Sequence, residues 1–372
     1  MQANPSTAAQ KPQKKQKEPL FHIVKRDAMP TRTAILIRVA AVVCAILFCS
    51  LLILVLGGVN PLQYFQSMIK GNFGTANLFW SNLYSTAILL CVAVALTPAF
   101  KMRFWNIGAE GQVLVGGLAA TVCMVEIGDA VPLPVLYLLM TVASIAAGAL
   151  WGGIPAIFKA KWNTNETLFT LMMNYVAIQL VAFFIDVWVK DGSGTLKPMH
   201  NLGFPTINGN KWLLNIIIVG ILTVLLYVYL RYSKQGYELS VVGESENTAR
   251  YVGINVGKVI VRTMLISGAL CGVAGLIIAG GMNHTISTGS AGGRGFTAIM
   301  VTWLAKFNPL YMVLTSFLIV FLQAGSMQLK TDFRLDNISD IATAVILLFI
   351  IGCEFFINYR IVFRKANKEE KQ

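Results

Sequence analysis

Gly236-Tyr-Glu-Leu-Ser-Val-Val-Gly-Glu-Ser-Glu-Asn-Thr-Ala-Arg-Tyr-Val-Gly253 is the one long polar interruption inside an otherwise hydrophobic body. It separates an apolar span ending near Arg231 from one beginning near Arg262, and Lys258 lies between them. Loops rich in Lys and Arg stay on the cytoplasmic side of a membrane, so the loop, taken as residues 232–262, is expected to face the cytoplasm. Its interior reads as two short helices. Asn247 is placed to cap a segment from Thr248 to Val252, Glu244 and Glu246 lie near its positive N-terminal end, and Gly253 is placed to stop it. Before it, Leu239 and Val242 share a face at helical spacing between Gly236 and Gly243. Helices this short are unstable alone, so packing on their own bundle or on a partner must hold them.

The surrounding chain has the composition of a membrane protein. Its 372 residues are 56% hydrophobic and 13% charged, with a mean hydropathy of +0.65, and apolar runs of about twenty residues recur. The net charge of +13 does not point to nucleic acid, because 13 of the 30 Lys and Arg residues fall in the terminal segments 1–38 and 360–372. Such basic ends report topology and some attraction to anionic lipid. The six cysteines, Cys44, Cys49, Cys91, Cys123, Cys271 and Cys353, all lie in apolar spans without a CxxC, and His22, His200 and His284 are scattered. They read as small hydrophobes, and no metal site is signalled.

Residues 1–33, with Lys11, Lys14, Lys15 and Lys17, read as a polar, disordered cytoplasmic arm. Residues 34–358 form the membrane domain, and 359–372 a basic cytoplasmic tail. The run Ala34–Leu56 is too long for a cleaved signal peptide and reads as a retained first span. Further spans are expected at Trp80–Phe100, Val113–Ile127, Val135–Phe158, Leu168–Val189 and Trp212–Leu230. After the polar loop come Thr263–Ala279, Phe296–Ala305, Leu310–Ala324 and Ile338–Ile357. About ten spans place both termini in the cytoplasm, in agreement with Lys101, Arg103, Lys159, Lys161 and Lys306 on inside connections. The outside loop 190–211 carries Lys190, Lys197 and Lys211, offset by Asp191, and is either a plain solvated loop or a landing place for a delivery protein.

Val113–Ile127 and Phe296–Ala305 fall short of a ~30 Å hydrocarbon core at about 1.5 Å per residue. Each follows a glycine-rich polar stretch, Gly108-Ala-Glu-Gly111 and Gly292-Gly-Arg-Gly295. Paired, glycine-broken segments point to a substrate path and to a duplicated five-plus-five bundle. The GxxxG pairs Gly148/Gly152 and Gly268/Gly272 serve interior helix packing or a subunit contact.

The candidate path residues are Phe104, Trp105, Asn106, Glu110, Gln112, Asn174, Arg294 and Phe296. Glu110 sits at the cytoplasmic end or dips inward on a broken segment, where a charge costs roughly 2.5 to 3.5 kcal/mol without a partner, and Arg294 is one candidate partner. Asn106 and Gln112 offer amides beside the flat faces of Phe104 and Trp105, which suits a nucleobase. Trp105 beside Lys and Arg is equally an interfacial belt residue. Asn174, in mid-span, faces a neighbouring helix or a pore. The run Gly289–Gly295 lacks the GK[ST] of a phosphate loop, so no ATP site is visible.

Gly236, Glu238, Gly243, Glu244, Asn247, Ala249, Arg250, Gly253 and Ile254 resemble the cytoplasmic coupling loop of bacterial ABC importer permeases of the sugar and nucleoside branch. Asn106-Ile-Gly-Ala-Glu-Gly-Gln112, Asn165-Glu166 and Leu171-Met-Met-Asn174 look like the permeases for guanosine and other nucleosides. The resemblance covers about residues 34–358 and departs most in the arm and in loop 190–211.

It implies an all-α, polytopic bundle of the type II ABC importer kind in the bacterial plasma membrane. This chain would be a non-enzymatic transport subunit that takes up nucleosides by alternating access. The implied ATPase-coupling residues are Tyr237, Glu238, Leu239, Gly243, Glu244, Asn247, Ala249, Arg250, Tyr251 and Gly253. The implied partners are an ATP-binding subunit that carries the ATP and magnesium, a second and often non-identical permease, and an extracellular substrate-binding lipoprotein. A ribose-type sugar permease is the nearest alternative. An ion-gradient-driven transporter with Glu110 as carrier is the next, set against by the sparse intramembrane acids.

Overall fold

The structure is a computed structural model that describes residues 21–26, 30–190, 195–334 and 336–363. The Lys11–Lys17 stretch, Asp191 and the tail beyond Phe363 lie outside the described residues. The helices in chain order are α1 (Thr31–Gly57), α2 (Pro61–Phe73), α3 (Ala76–Lys101), α4 (Ala109–Ile127), α5 (Leu133–Trp162), α6 (Glu166–Trp188) and α7 (Leu213–Tyr232). They continue as α8 (Lys234–Glu244), α9 (Glu246–Tyr251), α10 (Val256–Leu276), α11 (Arg294–Leu304), α12 (Pro309–Phe333) and α13 (Asp336–Asn358). Among the described residues, eight helices are long and apolar enough to cross a membrane: α1, α3 to α7, α10 with the turn that follows it, and α12. The other two expected spans are the 11-residue α11 and α13, whose apolar part is Ala344–Ile357.

The described residues divide into two compact units, with boundaries at Leu52/Ile53 and Thr343/Ala344. In the smaller unit, β1 (Phe21–Lys25) and β2 (Tyr359–Phe363) pair antiparallel, with Ile23 opposite Ile361. The strand and the start of α1 thus fall within residues 1–33, expected as a disordered arm, because Phe21, Ile23 and Val24 are aromatic and β-branched residues that suit a strand. In the same unit the rings of Phe48 and Phe349 lie 5.6 Å apart.

In the larger unit α3 is the core. Its C-terminal part is largely apolar all round and the helix is buried almost continuously from Tyr84 to Phe100, as expected of a helix surrounded by others. The helices α4, α5 and α10 meet along a glycine seam. A Cβ on Gly148 would collide with the backbone of Gly268 and Gly272, and one on Gly116 with Gly272. Both GxxxG pairs thus serve packing inside the bundle, where missing side chains let backbones touch. Helix α2 lies outside the expected spans; it starts on an Asn60 cap with Pro61 behind it. It packs on α12 through Asn72, which donates to the Phe321 carbonyl at 2.9 Å, and through Lys70, 3.2 Å from Asp332.

The loop before α7 is not merely solvated. The Met199 and Phe204 N–H groups donate to the carbonyls of His284 and Gly280, each at 2.8 Å. That ties the loop to the π-helical turn Ile277–Asn283 that ends α10.

Candidate functional site

Two helices begin with a glycine in place of a capping side chain, α4 after Gly108 and α11 after Gly293. Their first N–H groups need acceptors from elsewhere, because a buried helix end without partners is costly. For α4 the acceptor is Asn174 of α6, which takes the Gly111 N–H at 2.8 Å while donating to the Ile107 carbonyl at 2.9 Å. For α11 the acceptor is Glu110 of α4. Its two carboxylate oxygens take the N–H groups of Gly293 and Gly295, both at 2.7 Å.

Glu110 is therefore held by backbone dipoles at a helix N-terminus, the favoured place for an anion. The Arg294 guanidinium is not its hydrogen-bond partner. It donates instead to the Ser290 and Ala291 carbonyls at 3.4 Å. The reason is local: a Cβ at Gly295 would lie 2.8 Å from the Glu110 carboxylate, so only glycine lets the helix end come this close. The expected short span at 113–127 is also corrected. The helix begins at Ala109, and its 19 residues reach about 28 Å.

Asn106 and Gln112 are fully buried and exchange amide hydrogen bonds at 3.3 and 3.4 Å. Asn106 also accepts from the Gly108 N–H at 3.0 Å, and Phe104 is buried beside them. These polar groups are committed to shaping the α3–α4 turn. Trp105 is half-exposed and stacks on Trp303 with ring centroids 5.4 Å apart, with Phe100 set edge-on at 6.0 Å. Phe296 is half-exposed. Of the candidate path residues, Arg294 lines an open cavity of about 250 Å³ bordered by α3, α11 and α12, whose other polar walls are Asn82, Ser85, Thr297 and Gln323.

The polar loop forms an elbow. Ser233 caps α8 through the Gly236 N–H at 2.9 Å, and Ser245 caps α9 through the Thr248 N–H at 3.2 Å. Asn247 lies inside α9 rather than at its cap, because Ser245 takes that role two residues earlier. Gly253 has a φ of +83°. Its N–H meets the Arg250 carbonyl and that of Ile254 meets Ala249, a Schellman stop. Leu239, Gly243 and Ala249 face inward, and a Cβ on Gly243 would strike the Lys101 carbonyl at the end of α3. Glu238 pairs with Arg262 at 3.0 Å. Tyr237 (67% exposed) and Tyr251 (92% exposed) point outward, with Glu244, Asn247, Arg250 and Gly253 also exposed.

The family described as branched-chain amino acid transport system / permease component matches residues 79–351. The chain belongs to this permease family. It is 30% identical over 310 residues to the guanosine ABC transporter permease protein NupP of Bacillus subtilis, covering 80% of this chain and 88% of that protein. It is 27% identical over 317 residues to the glucose ABC transporter permease protein TsgB13 of Haloferax volcanii, covering 80% and 81%. Against the nucleoside ABC transporter permease protein NupB of Lactococcus lactis it is 25% identical over 348 residues, covering 90% and 95%.

For this multi-pass permease, sequence reasoning overlooked Asn82, Ser85, Gln323 and Trp303. Asn82 and Ser85 stand three residues apart in the N-terminal half of α3, and Gln323 is an amide that follows the apolar run 317–322 of α12. Polar side chains on one face of such helices were the available signal.

Proposed function

We propose that this chain is the permease subunit of an ATP-driven importer that takes up nucleosides, with ATP and magnesium handled by a separate subunit. The observation that carries the substrate class is the similarity to the guanosine permease, which spans 80% of this chain and 88% of the relative. The elbow supports the coupling role. Its buried face rests on the end of α3, and its outer face carries aromatic and charged side chains on a cytoplasmic surface suited to the ATPase. Closure of an ATPase dimer would push α8 against the Lys101 end of α3, and α3 and α11 share a long contact. Work of this kind requires a partner that contacts two states of the permease differently. A second permease chain completes the path, and an extracellular binding protein delivers the substrate.

The test is uptake of labelled guanosine by cells carrying the complete transporter, competed by other nucleosides and by simple sugars. Competition by nucleosides alone is the expected result. A simple sugar is the second reading, favoured by the glucose permease at 27% identity, and competition by glucose or ribose alone would replace the first with it.

A further inference from the structure

We infer that the groove between the elbow-side ends of α5 and α10 binds an anionic phospholipid, with its phosphate headgroup held at the mouth by Lys161 and Lys258 and an acyl chain laid along the inner walls. The inference goes beyond the transport reading. It requires only that α5 and α10 cross the membrane, for which both are long and apolar enough.

The groove is open along one side, holds about 600 Å³ and has no carboxylate among its lining residues. Its walls are sorted by depth. Lys161 lies in the last turn of α5 and Lys258 in the first turn of α10, so both stand where the helices leave the bilayer. Ile157 lies a turn further in on α5, and Val261, Leu265 and Ile266 continue the apolar wall inward on α10. The eight positions from Lys258 to Ile266 span about 12 Å of that helix. Small residues floor the groove, since a Cβ on Gly257 would meet Ala160 at an ordinary 3.6 Å. The charge at the mouth is not neutralised from within. Arg262, also in the lining, is paired with Glu238 at 3.0 Å, and nearby Lys159 with Glu166 at 2.9 Å. Lys161 and Lys258 are exposed and have no ion-pair partner among the described residues. Trp162 is 63% exposed, with its ring 5.8 Å from the Lys161 Nζ, and an exposed tryptophan at a helix end marks the headgroup level.

Two unneutralised ammonium groups above an apolar trough call for a ligand with a negative head and a hydrocarbon tail. Basic pockets between spanning helices suit anionic lipid headgroups, and each lysine near the surface adds to the attraction. A zwitterionic lipid sets its own ammonium against the two lysines. A soluble phosphate satisfies the mouth and leaves Leu265 and Ile266 uncovered. An acidic protein segment reaching inward would find no polar partners for its backbone on that apolar wall. Because Arg262 holds α8 through Glu238, a lipid seated here borders the root of the elbow.

The test is native mass spectrometry of the complete transporter, purified in a neutral detergent and titrated with phosphatidylglycerol, phosphatidylcholine or glycerol phosphate. Phosphatidylglycerol is expected to bind tightly and the other two weakly. The double change Lys161→Gln with Lys258→Gln should weaken phosphatidylglycerol binding at least about ten-fold. Replacing both lysines by arginine should preserve it, and Lys197→Gln with Lys211→Gln, at the opposite end of the bundle, should leave it unaltered. Both groove lysines are exposed, so the variants are expected to keep the wild-type unfolding midpoint. Undiminished binding in the glutamine variant, an equal loss in the opposite-end control, or glycerol phosphate binding as tight as the lipid overturns the inference. So does lipid binding that appears only once the ATPase is stripped away, which would make the groove a protein contact. No substrate enters the measurement, so the nucleoside reading stands or falls separately.

Discussion

The carboxylate of Glu110 closes the N-terminus of α11 by accepting the Gly295 N–H at 2.7 Å from a helix 185 positions away in sequence. With the Gly293 contact at the same distance, it binds the two glycine-broken helices to each other. Asn174 repeats the device one step back at Gly111. The caps thus run in series from α6 to α4 to α11, and α11 forms one wall of the cavity.

Loss of this link should be severe. Hydrogen bonds to charged groups are worth about 1.5–3 kcal/mol each. Glu110→Ala is expected to lower the thermal unfolding midpoint of the detergent-purified permease and to cut uptake at least about ten-fold. Glu110→Gln, which keeps one acceptor oxygen, should fall between. Wild-type unfolding and uptake in Glu110→Ala would show that α11 needs no cap.

Asn174→Ala removes a neutral cap and should cost about 0.5–2 kcal/mol. Because Asn174 positions the helix that carries Glu110, the double variant should be less destabilised than the two single changes added together. Denaturant unfolding of all four forms measures this coupling, and strict additivity would disconnect the two caps.

The elbow separates folding from docking. Gly243→Leu drives a side chain into the Lys101 carbonyl, so it should abolish ATP-dependent uptake while the protein still inserts in the membrane. Tyr251→Ala touches a residue that is 92% exposed. It should leave the unfolding midpoint unchanged, yet weaken co-purification of the ATPase, since exposed aromatics of this kind are typical binding hot spots. Undiminished co-purification would remove Tyr251 from the docking face.

Trp105 and Trp303 test a purely structural pairing. Stacked rings contribute about 0.5–1.5 kcal/mol beyond the area they bury. Trp105→Ala should reduce stability by that order and leave the guanosine-to-adenosine uptake ratio as it was. A changed ratio would return Trp105 to the substrate path.

Much of this was legible in the chain. The apolar runs announce the spanning helices, and the glycines at 236, 243 and 253 frame the elbow because close approach and a left-handed stop demand them. The cap of α9 is Ser245 and not the expected Asn247, because the two are equally good caps by type and only the backbone shows which one lies at the helix edge. The partner of Glu110 was hidden for a different reason. A carboxylate invites pairing with a guanidinium, whereas two glycines advertise no acceptor or charge at all, and their N–H groups become a binding site only when the helix they begin is placed. The cavity walls Asn82 and Gln323 come from helices 241 positions apart in the chain, a juxtaposition that no local pattern contains.

The glycine seam sets where motion can and cannot occur. Where Gly116, Gly148, Gly268 and Gly272 pack backbone to backbone, α4, α5 and α10 meet with no side chains to re-rotamerise along the seam, so there they behave as one plate. A gate in this protein must swing at the plate's margins, where ordinary side chains separate α3, α11 and α12, and a cross-link across the seam should leave the transport cycle running.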